Sequence, residues 1–295
     1  MSHHYGYDQL EPAIGVQAFD EGTWVLRVAW AFSGGARSFR QTAPSLQHQM
    51  ILPFGGKPSV IMHLALRDDG GKDQDGYRGL KSLHAKLDDL VPAFNLLKPR
   101  MLALRERSAI CNANCSCSNP GFLGHNFHRV LNQLNGIART WDMMEQLESE
   151  DRQKFDVVIR VRFDMFWLDR LQEHCFFHSA HAYTALHNTD MFFMASRQRA
   201  AARFLVVNQY HQCRGDFQHC DQHRQAGLHA WLSTGKTITK RMGLPFAIHR
   251  GSECQPDSKV QCSSVTGLTE LGWKLGECMQ TLYGEHYNKD CPQSH

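Results

Sequence analysis

Three short runs rich in β-branched and aromatic residues, each followed by a turn, leave this chain few ways to bury its apolar surface. They are Trp24 to Phe32 (WVLRVAWAF), Pro58 to Leu66 (PSVIMHLAL) and Phe155 to Asp164 (FDVVIRVRFD). Near-continuous apolar runs of this length read as strands buried on both faces, which is the habit of a parallel sheet. Between the second and third runs lies one long amphipathic stripe, Phe127 to Leu147. There Phe127, Val130, Leu131, Leu134, Ile137, Ala138, Trp141, Met144 and Leu147 recur at steps of three and four. That spacing predicts a helix with one apolar face laid on a sheet.

The remaining pattern continues the alternation. Phe39 to Ile51 reads as a helix, and a weaker strand is expected around Pro99 to Leu104. Ala182 to Ala185, Met191 to Ala195 and Pro245 to His249 read as further strands, and residues 197–211 and 220–233 as helical. Cys111 to Gly124 has loop composition, and the final forty residues show no period. The expectation is an α/β chain with a Rossmann-type, mostly parallel central sheet flanked by helices. Residues 1–22 are expected to form an irregular leader to a single domain over 23–295. In such sheets ligands bind outside the carboxyl ends of the strands.

Composition narrows the class. Of 295 residues, 42% are apolar and 21% charged, enough for a sizeable core. Lysine and arginine number 32 against 29 acidic residues, so the net charge is 32 − 29 = +3. With no basic run, this excludes a nucleic-acid surface built on bulk charge. No stretch approaches the ~20 apolar residues of a membrane-spanning helix. The density of ten cysteines, from Cys111 to Cys291, favours an oxidising compartment, where the sequon Asn114-Cys115-Ser116 would accept a glycan; the alternative is reduced thiols in a cytosol-like setting. The polar amino terminus carries no secretory signal. As written, the chain is expected to be soluble and cytoplasmic; an upstream anchor would place it in the Golgi lumen.

Two segments carry chemistry. In Arg160-Val161-Arg162-Phe163-Asp164, a buried strand delivers alternating charges to its carboxyl end. With a period of two, Arg160, Arg162 and Asp164 would share a face. Two guanidiniums and a carboxylate suit a metal-bridged diphosphate; a salt-bridged strand end is the plainer alternative. In Ser33-Gly34-Gly35-Ala36-Arg37, glycines permit close backbone approach and the following helix offers N–H groups to a phosphate. Without Gly-x-Gly-x-x-Gly spacing it is no dinucleotide fingerprint. Gly235-Lys236-Thr237 lacks the earlier glycine of a phosphate-binding loop, since Ala230 stands there. His211, Cys213, His219, Cys220 and His223 form a cluster whose spacing matches no common zinc module.

In order along the chain, these pieces resemble a glycosyltransferase family with the GT-A fold. The resemblance rests first on Phe32-Ser33-Gly34-Gly35-Ala36-Arg37-Ser38-Phe39, the strand of Val60–His63, the helix from Gln133 to Trp141, and Phe155 to Asp164. It continues through Asp190-Met191-Phe192-Phe193-Met194-Ala195-Ser196-Arg197, Gln225–Leu232 and Leu244–Arg250, and so covers residues 27 to 250. It implies a nucleotide-sugar donor and a glycan or glycoconjugate acceptor hydroxyl. It also implies a divalent cation, Mn2+ or Mg2+, on an Asp-x-Asp motif. Here Arg162 stands in place of the first aspartate, leaving Asp164, with His249 as a candidate second ligand. A lone carboxylate holds a hard cation weakly without substrate phosphates.

On this reading Ser33, Gly34, Gly35, Arg37, Asp68, Arg160 and Arg162 contact the donor, the arginines stabilising the leaving diphosphate. In an inverting reaction a carboxylate deprotonates the acceptor; Asp190 and Asp221 are the candidates, with Asp190 preferred beside its hydrophobic strand. Two other readings compete: a nucleotide- or glycan-binding protein of the same fold without catalysis, and a Cys/His-rich protein with structural zinc.

Overall fold

The computed structural model describes residues 25–36, 38–67, 85–107, 127–185, 191–208, 238–242, 244 and 246–248. A seven-stranded sheet runs through them in the order β3-β2-β1-β4-β7-β6-β8. Its strands are β1 (Arg27–Gly35), β2 (Lys57–Arg67), β3 (Met101–Arg107), β4 (Val157–Val161), β6 (His181–Ala185), β7 (Phe192–Ser196) and β8 (Ile238–Met242). Strand β1 pairs parallel with both β2 and β4, and β2 with β3. Strand β7 pairs antiparallel with β4 and β6, while β8 runs parallel to β6. One reversed strand therefore sits inside an otherwise parallel sheet, the α/β architecture expected. A second sheet of two short strands, β5 (Met165–Trp167) and β9 (Phe246–Ile248), stands beside it.

Both faces of the sheet are covered. On one, Val28, Trp30 and Phe32 of β1 and Val60, Met62 and Leu64 of β2 pack with α1 (Phe39–Ser45) and α3 (Leu87–Leu97). On the other, Ala29, Ala31, Ile61 and Val158 meet α4 (Phe127–Asp151) through Ile137, Ala138, Trp141, Met144 and Leu147. Helix α5 (Arg197–Phe204) joins that second layer through Ala200 and Phe204. Small alanines in β1 let α4 lie close to the sheet, while the large aromatics fill the layer beneath α1. No described helix is long and apolar enough to cross a membrane.

Several elements depart from expectation in instructive ways. The Phe39–Ile51 helix breaks into three pieces: α1, a π-helical turn over Leu46–Ile51, and α2 (Leu52–Phe54). Pro44 lies in α1 and has no N–H to give, so the hydrogen-bond ladder widens immediately after it. Helix α3 was not apparent from the sequence, because Pro92 falls within it and Gly-rich polar chain precedes it. Strand β8 likewise escapes the apolar signal, since its segment ITKRM is mostly polar. The leader, the 111–124 loop, the 220–233 segment and the final forty residues lie outside the described residues.

Candidate functional site

The first predicted turn is a strand. Parallel pairing with β2 continues through Ser33–His63, Gly34–Leu64 and Gly35–Ala65, and Ala36 N–H then donates to the Ala65 carbonyl at 2.9 Å. The chain bends only after that bond. Gly34 adopts φ +138°, a backbone that side chains with a Cβ rarely take, so glycine is required there. The helix start that follows is less open than the sequence suggests: Phe39 N–H donates to the Ala36 carbonyl at 3.0 Å, and Gln41 and Thr42 N–H both donate to the Ser38 carbonyl.

The second segment also differs from its expectation. Strand β4 ends at Val161, so Arg162 and Asp164 lie in the turn before β5 and do not continue the alternation begun at Arg160. That turn is anchored from below. Phe163 lies between Phe32 and Phe39, with ring centroids 5.6 and 4.9 Å away. Thr42 Oγ1 donates to the Phe163 carbonyl, and Trp167 N–H donates to Ser45 Oγ at 3.0 Å. The polar side of the turn is fixed by charge. Arg162 Nε and Nη2 donate to the two carboxylate oxygens of Asp164 at 2.9 and 2.6 Å. Asp164 is 4% exposed, so its carboxylate depends on such bonds to remain ionised.

The two segments meet. Phe32 pairs with Val161 in register, which brings Ser33 level with the turn that opens at Arg162. A Cβ added at Gly34 would come within 4.0 Å of Phe163. Ser33, Gly34, Gly35, Arg160, Arg162 and Asp164 thus gather at the carboxyl edge of β1 and β4. Arg160 sits on the α4 face opposite Ala31 and Phe193, 2% exposed, and keeps a fixed positive charge inside that edge. Arg37, Asp68, Asp190, Asp221 and His249 lie outside the described residues.

His63 was not among the sequence candidates. It follows Val60-Ile61-Met62 in β2 and pairs in register with Ser33. Burial, then the charges of Arg105 and Arg139, hold its imidazole down to about 4, so it is neutral at physiological pH. Neither His63 Nε2 nor the Ser33 hydroxyl finds a hydrogen-bond partner among the described residues, and both atoms are shielded from solvent. Gly136 of α4 passes over the pair: a Cβ there would lie 3.5 Å from His63 Nδ1 and 3.7 Å from Ser33 Cβ. The sequence signal was a lone histidine in an apolar run, which only the cross-strand register made meaningful.

Among the described residues the donor set does not suit a divalent cation. Both Asp164 oxygens already accept from one guanidinium, whereas a hard cation needs several oxygens free to turn toward it. No group of three or more His, Cys, Asp or Glu side chains able to hold a metal occurs among the described residues. The His211–His223 cluster lies outside them. No protein-family model matches the chain, and no curated protein matches it.

Proposed function

We propose that this chain is a glycosyltransferase with a GT-A-like fold that moves a sugar from a nucleotide-sugar donor to a hydroxyl of a glycan or glycoconjugate acceptor. The observation that carries the reading is the meeting of Ser33–Ala36 with Arg162–Asp164 at the carboxyl edge of adjacent parallel strands. A glycine-lined backbone beside a guanidinium pair offers close approach and positive charge together, the chemistry a sugar diphosphate calls for.

In the reaction, the bond between the anomeric carbon and the diphosphate oxygen breaks and its electron pair leaves on the diphosphate. The acceptor oxygen forms the new bond, and its proton passes to a carboxylate. Arg160 and Arg162 stabilise the charge that grows on the leaving group. Asp190 is the preferred base. It precedes β7, whose first residue, Phe192, pairs with Val161 at the carboxyl end of β4; Asp221 is the alternative.

A thermal-shift panel of UDP- and GDP-sugars, followed by a nucleotide-release assay, tests the reading. Stabilisation by at least one donor together with measurable release of nucleotide is expected. A chain indifferent to every donor overturns it. The Arg162–Asp164 pair favours a second reading, a nucleotide- or glycan-binding protein without catalysis, because it neutralises the one motif carboxylate. Donor binding without any turnover or transfer would select that second reading.

A further inference from the structure

We propose that Ser33 and His63, under Gly136 of α4, form a recess that receives an uncharged amide of the nucleotide sugar, bonding its carbonyl and N–H. This rests on the glycosyltransferase reading above and adds a group recognised apart from the diphosphate. Ser33 and His63 are register partners on adjacent strands, so their side chains stand side by side on the α4 face. Ser33 is 3% exposed, and its hydroxyl and His63 Nε2 are shielded without hydrogen-bond partners among the described residues. Buried polar atoms left unmatched cost stability, so a ligand that bonds them recovers what folding gave up. Two residues earlier on the same face, Ala31 and Ile61 pack beneath α4 and close the recess with apolar surface.

Gly136 is the second observation. It lies inside α4 on helical backbone, where glycine is less stable than alanine. A Cβ there would stand 3.5 Å from His63 Nδ1, 3.7 Å from Ser33 Cβ and 4.0 Å from His63 Cε1, all ordinary contacts. Neither backbone nor crowding therefore calls for glycine at this position. What its missing methyl leaves uncovered is the edge of the imidazole. Burial, then the charges of Arg105 and Arg139, keep the proton off that ring. A neutral imidazole presents one N–H and one lone pair, and a hydroxyl both donates and accepts. Ser33, His63 and Gly136 carry no charge, so they offer a buried anion nothing to offset its lost hydration. An uncharged amide fits, and a nucleotide sugar has two sources of one: the ring amide of the base and an acetamido group on the sugar.

Isothermal titration of the whole chain with UDP, GDP, pyrophosphate, UDP-N-acetylglucosamine and UDP-glucose tests the proposal, with Gly136→Ala as the main variant. That variant should melt higher than wild type and yet bind its amide-bearing ligand at least fivefold more weakly. Its pyrophosphate affinity should change less than twofold. Ser33→Ala and His63→Leu should show the same pattern of affinities, and they carry the test if Gly136→Ala fails to fold. A loss on UDP or GDP assigns the recess to the base. A loss confined to UDP-N-acetylglucosamine, with UDP and UDP-glucose unchanged, assigns it to the acetamido group. Wild-type affinity for every ligand, or an equal loss that includes pyrophosphate, overturns the proposal and leaves the glycosyltransferase reading standing. Failure of wild type to bind any of the five ligands overturns the two together.

Discussion

Both ends of the central sheet pair arginine with carboxylates, but the carboxyl end also sets open polar groups and glycine beside the pair. At the amino end, Arg27, Arg100 and Arg197 each make more than one bond to an acceptor. Arg27 donates to the Asp151 carboxylate and to the carbonyls of Gln153 and Lys154, while its backbone N–H meets Asp156 at 2.7 Å. Arg100 grips the same Asp151 at 2.7 and 2.9 Å, and with Arg27 holds that carboxyl down to about 2. Arg197 spans Glu148 and Glu145 and stacks on Trp141, its guanidinium carbon 4.5 Å from the ring centroid. At the carboxyl end, by contrast, Ser33 and His63 have buried polar atoms without partners among the described residues, and glycine replaces side chains. Folding alone gains nothing from leaving such groups unmatched. Arg162 and Asp164 pair at the carboxyl end as well, so what sets that end apart is the polarity left open beside a paired charge.

The sharpest way to break that contrast is Glu148→Ala at the amino end. Glu148 is 7% exposed, accepts from the Phe155 N–H at 3.0 Å, and anchors Arg197. Its loss should cost about 2 kcal/mol, because a half-buried guanidinium loses its main partner and a backbone donor is orphaned. Chemical denaturation measures this. UDP affinity of the folded fraction should be unchanged, and a large affinity loss would show that the two ends are not separable.

A second test uses pH. His63 titrates near 6.5 when unfolded and near 4 when folded, so between those values the unfolded chain binds the extra proton. The stability this contributes is fully present above pH 6.5 and is lost as pH falls toward 4. Between pH 6.5 and 5 the loss should reach about 1.5 kcal/mol, and His63→Gln should remove that part of the slope. An unchanged slope would place the acid-sensitive groups elsewhere.

The smallest expected effect sharpens the comparison at the carboxyl edge. Gly34→Ala would set its Cβ 4.0 Å from the Phe163 ring, an ordinary contact, but on a backbone of φ +138°, so a loss of about 1 kcal/mol of stability is expected. Pyrophosphate affinity should fall more than stability does. A variant that loses stability and keeps full affinity would make the glycine purely structural.

Much of the sheet was legible in the sequence. The apolar runs gave β1, β2 and β4 to within a few residues, and the stripe from Phe127 to Leu147 gave α4 up to its polar last turn. Such periodicities are local, and burial on one or both faces writes them directly into neighbouring positions. The site was legible only in part. Gly34 and Arg160 stood out by type, whereas the turn after Val161 hid behind the strand-like alternation of its arginines. His63 gained meaning only from Ser33, thirty positions away and one strand over.

By itself, then, the sequence determined the three apolar strands at the centre of the sheet, which face of α4 is buried, and that charge collects after the third apolar run. Only the tertiary structure decided which charges meet. The Arg27 N–H finds Asp156 across 129 positions, and one reversed strand sets the start of β7 beside the end of β4. Hydrophobic pattern specifies a face, but strand order and register select partners. Those depend on the packing of the whole sheet, which no local window of residues encodes.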